Sequence, residues 1–203
     1  MSTVVVDYGA GNLRSVANAL GAAGEHDARV TREPAQVAAA DRLVLPGVGA
    51  FGACMAALAA IPGMVEALER AVLGRGIPFL GICVGLQLLA GEGHEFGVHA
   101  GLGWVPGKVV RLAPENPRLA VPHIGWREVE ATGSGPVTSG WAYFVHSFRF
   151  EAEDAADVAA WCDYGGPVVA AIRRANILGV QFHPEKSQAE GLAFLARVLA
   201  WRP

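Results

Sequence analysis

The chain has 203 residues, of which 52% are hydrophobic and 17% charged, enough apolar material for one folded domain spanning residues 1–203. Its net charge is −3 and its isoelectric point about 6.1, which argues against a basic surface for nucleic acid or for anionic lipid. No apolar run is long enough to cross a membrane, so no membrane partner is expected.

The first half alternates strand patterns with helix patterns. The expected strands are Thr3–Asp7, Ala28–Thr31, Arg42–Leu45 and Ile77–Ile82. The expected helices are Leu13–Ala23, Glu33–Ala39, segments between Ala53 and Leu73, and a helix starting at Val84–Ala90, while Pro46–Gly52 is expected to be a loop. Alternation of this kind predicts a parallel sheet with helices on both faces.

The second half consists mainly of strand-like segments separated by turn residues, and it ends in a helix. The segments are Lys108–Leu112, Arg127–Glu130, Trp141–Phe150, Val158–Tyr164, Val168–Arg174 and Ile177–Phe182, and the helix is Gln188–Trp201. They are expected to form hairpins that extend the sheet. The predicted fold class is therefore α/β, with an open, mostly parallel sheet, helices on both faces and an antiparallel extension.

Cys83 lies between a buried strand and a helix, and Gly81 and Gly85 flank it as G-x-C-x-G. This spacing matches the sharp strand-to-helix turn that exposes a nucleophile at the edge of a sheet. The start of a helix also favours the thiolate, which is the reactive form of cysteine. An inert, buried cysteine is the alternative, and we assign that structural role to Cys54 and Cys162, which lack this context.

His183 and Glu185 follow the last apolar strand in the run QFHPEKS. Residues two apart in an extended segment project to the same side, so Glu185 can bond one ring nitrogen and leave the other to a thiol. With Cys83, the pair has the residue types of a nucleophile, a base and an orienting acid. A plain His-Pro surface turn is the alternative.

The loop LPGVGAFGA contains a formal G-x-G-x-x-G at Gly47, Gly49 and Gly52. We reject a dinucleotide site, because the loop follows about the third strand and no acidic residue ends a strand about 20 residues later. The hypothesis is instead an oxyanion site made by backbone N–H groups of Val48 and Gly49 with that of Val84. An ordinary glycine-rich turn remains the alternative.

The three cysteines are sparse and odd in number, which is typical of reduced thiols in a cytoplasmic protein. The six histidines have no metal-ligand spacing, and we expect neither a metal nor a cofactor.

Three of these runs together resemble the class I, triad-type glutamine amidotransferases: GICVGLQLL, PGVGAFG and QFHPEKS. Four further runs resemble, within that class, the glutaminase subunits of imidazole glycerol phosphate synthase, an enzyme of histidine biosynthesis: VDYGAGNLRSV, FGVHAGLGWVPGKVVRL, PHIGW and YFVHSF. The resemblance covers the chain from Val5 to the last helix, and it implies a flavodoxin-like fold of the amidotransferase type.

The resemblance implies roles for individual positions. Cys83 attacks the glutamine carboxamide, His183 moves the proton and Glu185 orients the imidazole. The Gly47–Gly49 loop supplies the oxyanion site, in which one peptide is thought to flip. Glutamine binding falls to the following positions: Gly52, Gln87, Ser147 and Phe148.

The resemblance also implies a partner. It is a cyclase subunit with a (β/α)₈ barrel, bound as a heterodimer, which uses the ammonia to make imidazole glycerol phosphate and aminoimidazole carboxamide ribotide. Candidate contacts are Asn12, Trp126, Tyr143 and Lys186. Two positions depart from the family pattern: Arg127 stands in place of asparagine and Val84 in place of leucine.

Three alternatives stay open. The chain could serve another synthase, such as those for anthranilate, aminodeoxychorismate, GMP or pyridoxal phosphate. It could be a cysteine peptidase of related fold, which would need an open cleft, or a binding subunit with an inactive site. The intact triad argues against the last of these.

Overall fold

This computed structural model describes residues 2–203, in which strands and helices alternate as far as residue 87. The strands of this half are β1 (Thr3–Val6), β2 (Arg29–Thr31), β3 (Arg42–Gly47) and β4 (Phe79–Cys83). Its helices are α1 (Leu13–Ala22), α2 (Pro34–Ala39), α3 (Phe51–Ala59), α4 (Met64–Glu69), which continues as a π-helix over Arg70–Gly74, and α5 (Val84–Gln87).

Strands dominate the second half, and one long helix closes the chain. The strands are β5 (Glu92–His94), β6 (Val98–Ala100), β7 (Gly107–Arg111), β8 (His123–Ala131), β9 (Gly140–His146), β10 (Phe148–Ala152), β11 (Val158–Asp163), β12 (Pro167–Arg174) and β13 (Ile177–Val180). Short 3₁₀ turns cover Ala155–Asp157 and Pro184–Lys186, and the final helix is α6 (Gln188–Ala200).

Within the described residues, the main sheet has nine strands in the order β2-β1-β3-β4-β13-β12-β11-β8-β9. The pairs from β2 to β13 are parallel, and those from β13 to β9 are antiparallel. The parallel strands β1, β3, β4 and β13 are buried along their whole length, as expected for apolar strands covered on both faces. The predicted α/β class and its antiparallel extension are confirmed.

The strand order reverses direction at β1, because β2 lies on one side of it and β3 on the other. Right-handed crossovers then place α1 and α2 on opposite faces of the sheet. In agreement, α1 packs against α6, whereas α2 packs against α4. Taken along the chain, the five parallel strands have the order 2-1-3-4-5 of flavodoxin-like folds, whose ligands bind at the carboxyl edge of the strands.

A second sheet of the described chain, in the order β10-β7-β5-β6, was not expected. β5 and β6 have three residues each, and their sequences, EGH and VHA, are too short to carry a strand pattern. The single strand predicted over Trp141–Phe150 is wrong. It breaks at Ser147, whose carbonyl accepts a hydrogen bond from the N–H of Leu112, so that β9 stays in the main sheet and β10 joins the second.

Two predicted boundaries also differ. Pro46 and Gly47 extend β3 beside β4, and α3 already begins at Phe51, so the glycine-rich loop is shorter than expected. Helix α5 ends at Gln87, three residues early. The carbonyls of Leu88 and Leu89 accept hydrogen bonds from the N–H groups of residues 102 and 105, so these two carbonyls make no helical hydrogen bonds.

Among the described residues, no single helix is long and apolar enough to span a membrane. One pair of helices would be long and apolar enough if its two members were counted together. The pair is α3 with α4 and its π-helical continuation, and it is bent by 93°. Phe51, Leu58, Met64 and Leu68 of this pair are fully buried in the core, which accounts for its apolar composition.

Candidate active site

The turn from β4 to α5 holds Cys83 in a backbone conformation that side chains rarely adopt, with φ 55° and ψ −109°. A Cβ at Gly85 would overlap the Leu45 carbonyl oxygen, and one at Gly81 would overlap the carbonyl of Gly85. Both flanking glycines are therefore required by close backbone approach. The predicted sharp turn is present, and it presents the Cys83 sulfur at the carboxyl edge of the parallel strands.

His183 and Glu185 follow β13, and their side chains meet as expected: Nδ1 of His183 lies 2.8 Å from Oε1 of Glu185. The expected reason is wrong, however, because Pro184–Lys186 form a 3₁₀ turn instead of an extended segment. The turn brings Glu185 back beneath the imidazole, where its side chain is only 2% exposed. The bond fixes the proton on Nδ1 and leaves Nε2 for the sulfur side.

Ser187 fastens this turn to the edge of the main sheet. Its hydroxyl donates to the His183 carbonyl at 2.7 Å and accepts from the N–H of Tyr143 at 3.0 Å. The N–H of His183 donates in turn to the Tyr143 carbonyl at 2.9 Å. Two elements distant in sequence, β9 and the turn after β13, thus hold the imidazole in place.

The surroundings of His183 favour its protonated form. Burial alone would lower the pKa of the imidazole, but hydrogen bonding and charge interaction with Cys83 and Glu185 outweigh it and raise the pKa to about 9. At neutral pH the site therefore holds an imidazolium between a carboxylate and the Cys83 sulfur. A neighbouring cation of this kind favours the thiolate form of a cysteine.

A cavity of about 340 Å³ opens over Cys83. Nine residues singled out from the sequence line it: Val48, Gly49, Cys83, Val84, Gln87, Ser147, Phe148, His183 and Lys186. Four others line it as well: Glu95, Pro122, Val145 and His146. The break between β9 and β10 is what turns Ser147 and Phe148 into its wall.

The loop between β3 and α3 borders this cavity. Val48 is 44% exposed, and Gly49 has a φ of 104°, a value that favours glycine. The thiol of Cys54 donates to the Val48 carbonyl at 3.3 Å. Opposite the loop, the N–H of Val84 is the first of α5 and so has no partner within the helix.

The remaining residues selected from the sequence lie away from the cavity lining. Gly52 is in α3, where a Cβ would come within 2.8 Å of the His99 ring. Trp126 and Tyr143 are opposite one another on β8 and β9, with ring centroids 5.9 Å apart, and both are half-buried. Asn12 is exposed at the start of α1.

Arg127, which departs from the family pattern, turns toward the second half of the sheet. Its guanidinium carbon lies 5.1 Å from the centre of the Tyr164 ring, and Nη1 donates to the Trp126 carbonyl at 3.0 Å. The guanidinium therefore stacks on an aromatic face.

Sequence reasoning missed three polar residues near the sulfur. Glu95 follows the unpredicted strand β5, and its carboxylate accepts from the N–H of Phe51 at 2.7 Å. His146 lies within the run YFVHSF, and Gln181 opens the run QFHPEKS. The two motifs could have drawn attention to His146 and Gln181, whereas nothing in the sequence near Glu95 marks it.

Within residues 2–203, no group of three or more His, Cys, Asp or Glu side chains is arranged to hold a metal ion.

Comparison with known proteins places this arrangement in a family. The family model for class-I glutamine amidotransferases matches residues 4–200. The imidazole glycerol phosphate synthase subunit HisH of Zymomonas mobilis is 58% identical over 207 residues, covering all of this chain and 97% of the relative. The chain belongs to the HisH family of class-I glutamine amidotransferases. HisH subunits of Caulobacter vibrioides and Rhodospirillum rubrum are 50% and 49% identical over the full length of both chains.

Solved structures show that this chain shares the amidotransferase fold. A crystal structure of a glutamine amidotransferase has a TM-score of 0.74 at 22% identity, covering 96% of this chain and 98% of the other. The structure of PurLQS from Thermotoga maritima has a TM-score of 0.74 at 18% identity, with 98% and 97% covered.

Proposed function

We propose that this chain is the glutaminase subunit of imidazole glycerol phosphate synthase and hydrolyses glutamine to glutamate and ammonia for histidine biosynthesis. Its full-length identity of 58% to a HisH subunit supports the assignment. One structural observation carries the chemistry: Cys83, on a strained turn, shares a cavity with His183, whose other face is bonded to Glu185.

In the first half of the reaction, the Cys83 thiolate adds to the carboxamide carbon of glutamine. The N–H of Val84 and those of the Val48–Gly49 loop stabilise the resulting oxyanion. When the tetrahedral intermediate collapses, its C–N bond breaks and His183 gives its proton to the departing nitrogen, which leaves as ammonia. A γ-glutamyl thioester remains on Cys83.

In the second half, water attacks the thioester. His183, now neutral, takes a proton from that water, and collapse of the second intermediate breaks the C–S bond. Glutamate leaves and the thiolate–imidazolium pair is restored. Glu185 keeps its hydrogen bond to Nδ1 throughout, holding the tautomer and stabilising the imidazolium, as the acid of a serine triad does.

The cavity suits a single amino acid. Its volume of about 340 Å³ is at the small end for ligand sites and too small for an extended peptide, which disfavours the peptidase alternative. The Glu95 carboxylate is available for the α-ammonium group of glutamine. Ser147 and Phe148 contribute backbone, and Gln87 contributes its side chain. Gly52 acts indirectly in this proposal, by letting α3 approach His99.

The proposed partner is the cyclase subunit, a (β/α)₈ barrel bound as a heterodimer. The relatives are named as synthase subunits, which supports an obligate second chain. Trp126 and Tyr143 suit an interface, since half-buried aromatic pairs are frequent binding hot spots. Lys186 and Asn12 extend the surface around the cavity. We further propose that residues 1–203 form one domain and that the complex works in the cytoplasm, where the three free thiols remain reduced.

The decisive experiment measures glutamine hydrolysis with the cyclase subunit bound. Cys83→Ala is expected to abolish turnover, because the oxyanion site alone cannot replace covalent chemistry. The matched control is Cys162→Ala, which removes a buried thiol from β11 and is expected to retain activity. Normal hydrolysis by Cys83→Ala would end the proposal.

The same assay without the cyclase tests the partner. We expect low basal turnover from the lone chain, because ammonia released without an acceptor is wasted and the exposed Val48–Gly49 loop needs its partner to complete the site. Equal turnover with and without the cyclase would contradict this part.

A further inference from the structure

A chain of side-chain hydrogen bonds runs through the cavity wall and ends at the Cys83 sulfur. It centres on the carbonyl oxygen of Phe148, which receives Nδ1 of His146 at 2.8 Å and Nε2 of Gln87 at 3.1 Å. A carbonyl oxygen only accepts, so both neighbours must donate. This one oxygen therefore sets the direction of every bond on either side of it.

Toward the sulfur, the direction is fixed through two amides. The Gln87 nitrogen that donates to Phe148 also donates to Oε1 of Gln181 at 3.0 Å. The Gln181 amide must then turn its nitrogen the other way, and Nε2 lies 3.7 Å from Sγ of Cys83. The Gln181 amide therefore turns its N–H and not its oxygen toward the sulfur, which also lies 3.8 Å from the backbone carbonyl oxygen of Val145.

Away from the sulfur, the direction is fixed through two imidazoles. His146 carries its proton on Nδ1, so its Nε2 accepts from Nδ1 of His123 at 2.9 Å. This arrangement requires the His146 ring to be neutral, because its Nε2 accepts a hydrogen bond. Burial, followed by repulsion from His146 and Arg127, lowers the pKa of His123 to about 3. Burial also lowers the pKa of His146 to about 4, despite its bond to Phe148.

We propose that Gln181 is a further catalytic residue of the glutaminase reaction, whose amide N–H donates to the Cys83 sulfur and stabilises the thiolate. Gln87, His146 and His123 are positioning residues that keep the nitrogen of that amide toward the sulfur. The inference rests on the proposed role of Cys83 as nucleophile. No bond to Gln181 forms or breaks in the reaction.

The burial of the Gln181 amide indicates that it has a functional role. Gln181 is fully buried at the end of β13, and an apolar side chain would fill this place without the cost of removing an amide from water. Gln181 does not line the cavity, so it does not serve to contact glutamine. What its nitrogen faces is the sulfur, and a hydrogen bond to a charged acceptor is among the stronger ones in proteins.

Several titratable groups surround the sulfur, and among them Glu95, His146 and Lys186 line the cavity beside it. Tyr8 lies after β1, Cys54 in α3 and His183 after β13. Burial raises the pKa of Tyr8 and that of Cys54, so both hold their protons at neutral pH. Of the groups that hydrogen-bond the sulfur, the imidazolium of His183 and the Gln181 amide favour a thiolate.

The test replaces Gln181 by methionine, which keeps its length and removes the donor. In complex with the cyclase, Gln181→Met is expected to lower kcat about tenfold to a hundredfold and to leave KM within about twofold. The pH midpoint for alkylation of Cys83 by iodoacetamide, read at that residue by peptide mass, is expected to rise by about one unit. The matched control is Gln36→Met in α2, which is expected to change none of the three.

A second variant guards against a folding defect. Gln181→Glu keeps the shape but places a carboxylate beside the sulfur, and it is expected to raise the midpoint further than methionine does. An unchanged midpoint and kcat in a folded Gln181→Met protein, next to an inactive Cys83→Ala, would overturn this inference alone. Glutamine hydrolysis by Cys83→Ala would instead contradict the proposed function, on which this inference rests.

Discussion

At the scale of single residues, Glu185 shows how burial gives a common side chain a specific role. The chain contains a second pair with the same spacing, in which Nε2 of His94 lies 2.7 Å from Glu92. Both members of that pair are largely exposed, whereas the side chains of His183 and Glu185 are nearly inaccessible. Burial shields the second pair from solvent screening, and hydrogen bonding and charge interaction with Glu185 contribute to the raised pKa of His183.

Glu185→Gln tests this difference. The substitution keeps the size and removes the charge, so the pKa of His183 is expected to fall from about 9 toward its ordinary value. With the tautomer no longer fixed, kcat is expected to drop by about a hundredfold or more. The histidine pKa is measured by NMR titration and kcat by glutamate release. Glu92→Gln is the control, and a similar loss there would contradict the role of burial.

At the scale of elements, the turn from β4 to α5 depends on backbone packing. Gly85 lies against β3 so closely that no side chain fits, while Gly21 in α1 has open space around its Cβ position. The same substitution at the two positions should therefore have opposite effects.

Gly85→Ala is expected to lower the free energy of unfolding by about 3 kcal/mol, because α5 must move away from β3 to admit the methyl group. Gly21→Ala is expected to raise it by about 0.5–1 kcal/mol through helix propensity. Urea unfolding of both variants gives the values. A Gly85→Ala protein as stable as the parent would show that the turn can relax.

The elements also show where sequence reasoning ends. The turn at Cys83 was predictable because the G-x-C-x-G motif lies within five consecutive residues. The burial of β1, β3 and β4 was predictable because their sequences are mostly apolar. The break at Ser147 was not, because it depends on a hydrogen bond from Leu112, which follows the distant strand β7. The contact of His183 with Glu185 was foreseen for a wrong reason, since side-chain chemistry indicated the pair but not the 3₁₀ turn.

At the scale of the whole molecule, buried histidines couple folding to pH in two directions. His123 and His146 have pKa values of about 3 and about 4, below the unfolded value of about 6.5. Their contribution to stability is present above pH 6.5 and is lost as the pH falls toward 4. His183 is the opposite case, with stability present below about pH 6.5 and lost as the pH rises through about 9.

His123→Phe tests the contribution of one of these histidines to the pH dependence of stability. Between about pH 6 and pH 4.5, the slope of unfolding free energy against pH is expected to decrease by about 1.4 kcal/mol per unit. The stacked neighbours Phe144 and Tyr164 make phenylalanine a compatible replacement. Urea unfolding over this range measures the slope, with His26→Phe at an exposed position as the control. An unchanged slope would mean that His123 is already protonated in the fold.

The position of β13 has a consequence for folding during synthesis on the ribosome. This strand joins the parallel half of the main sheet to the antiparallel half, yet residues 177–180 are made after nearly all of its neighbours. A nascent chain on the ribosome therefore holds two incomplete sheets, and His183 arrives only three residues after the strand that unites them. The active site is completed only when this last strand and the turn after it have been made, so a shorter chain has no site with which to hydrolyse glutamine.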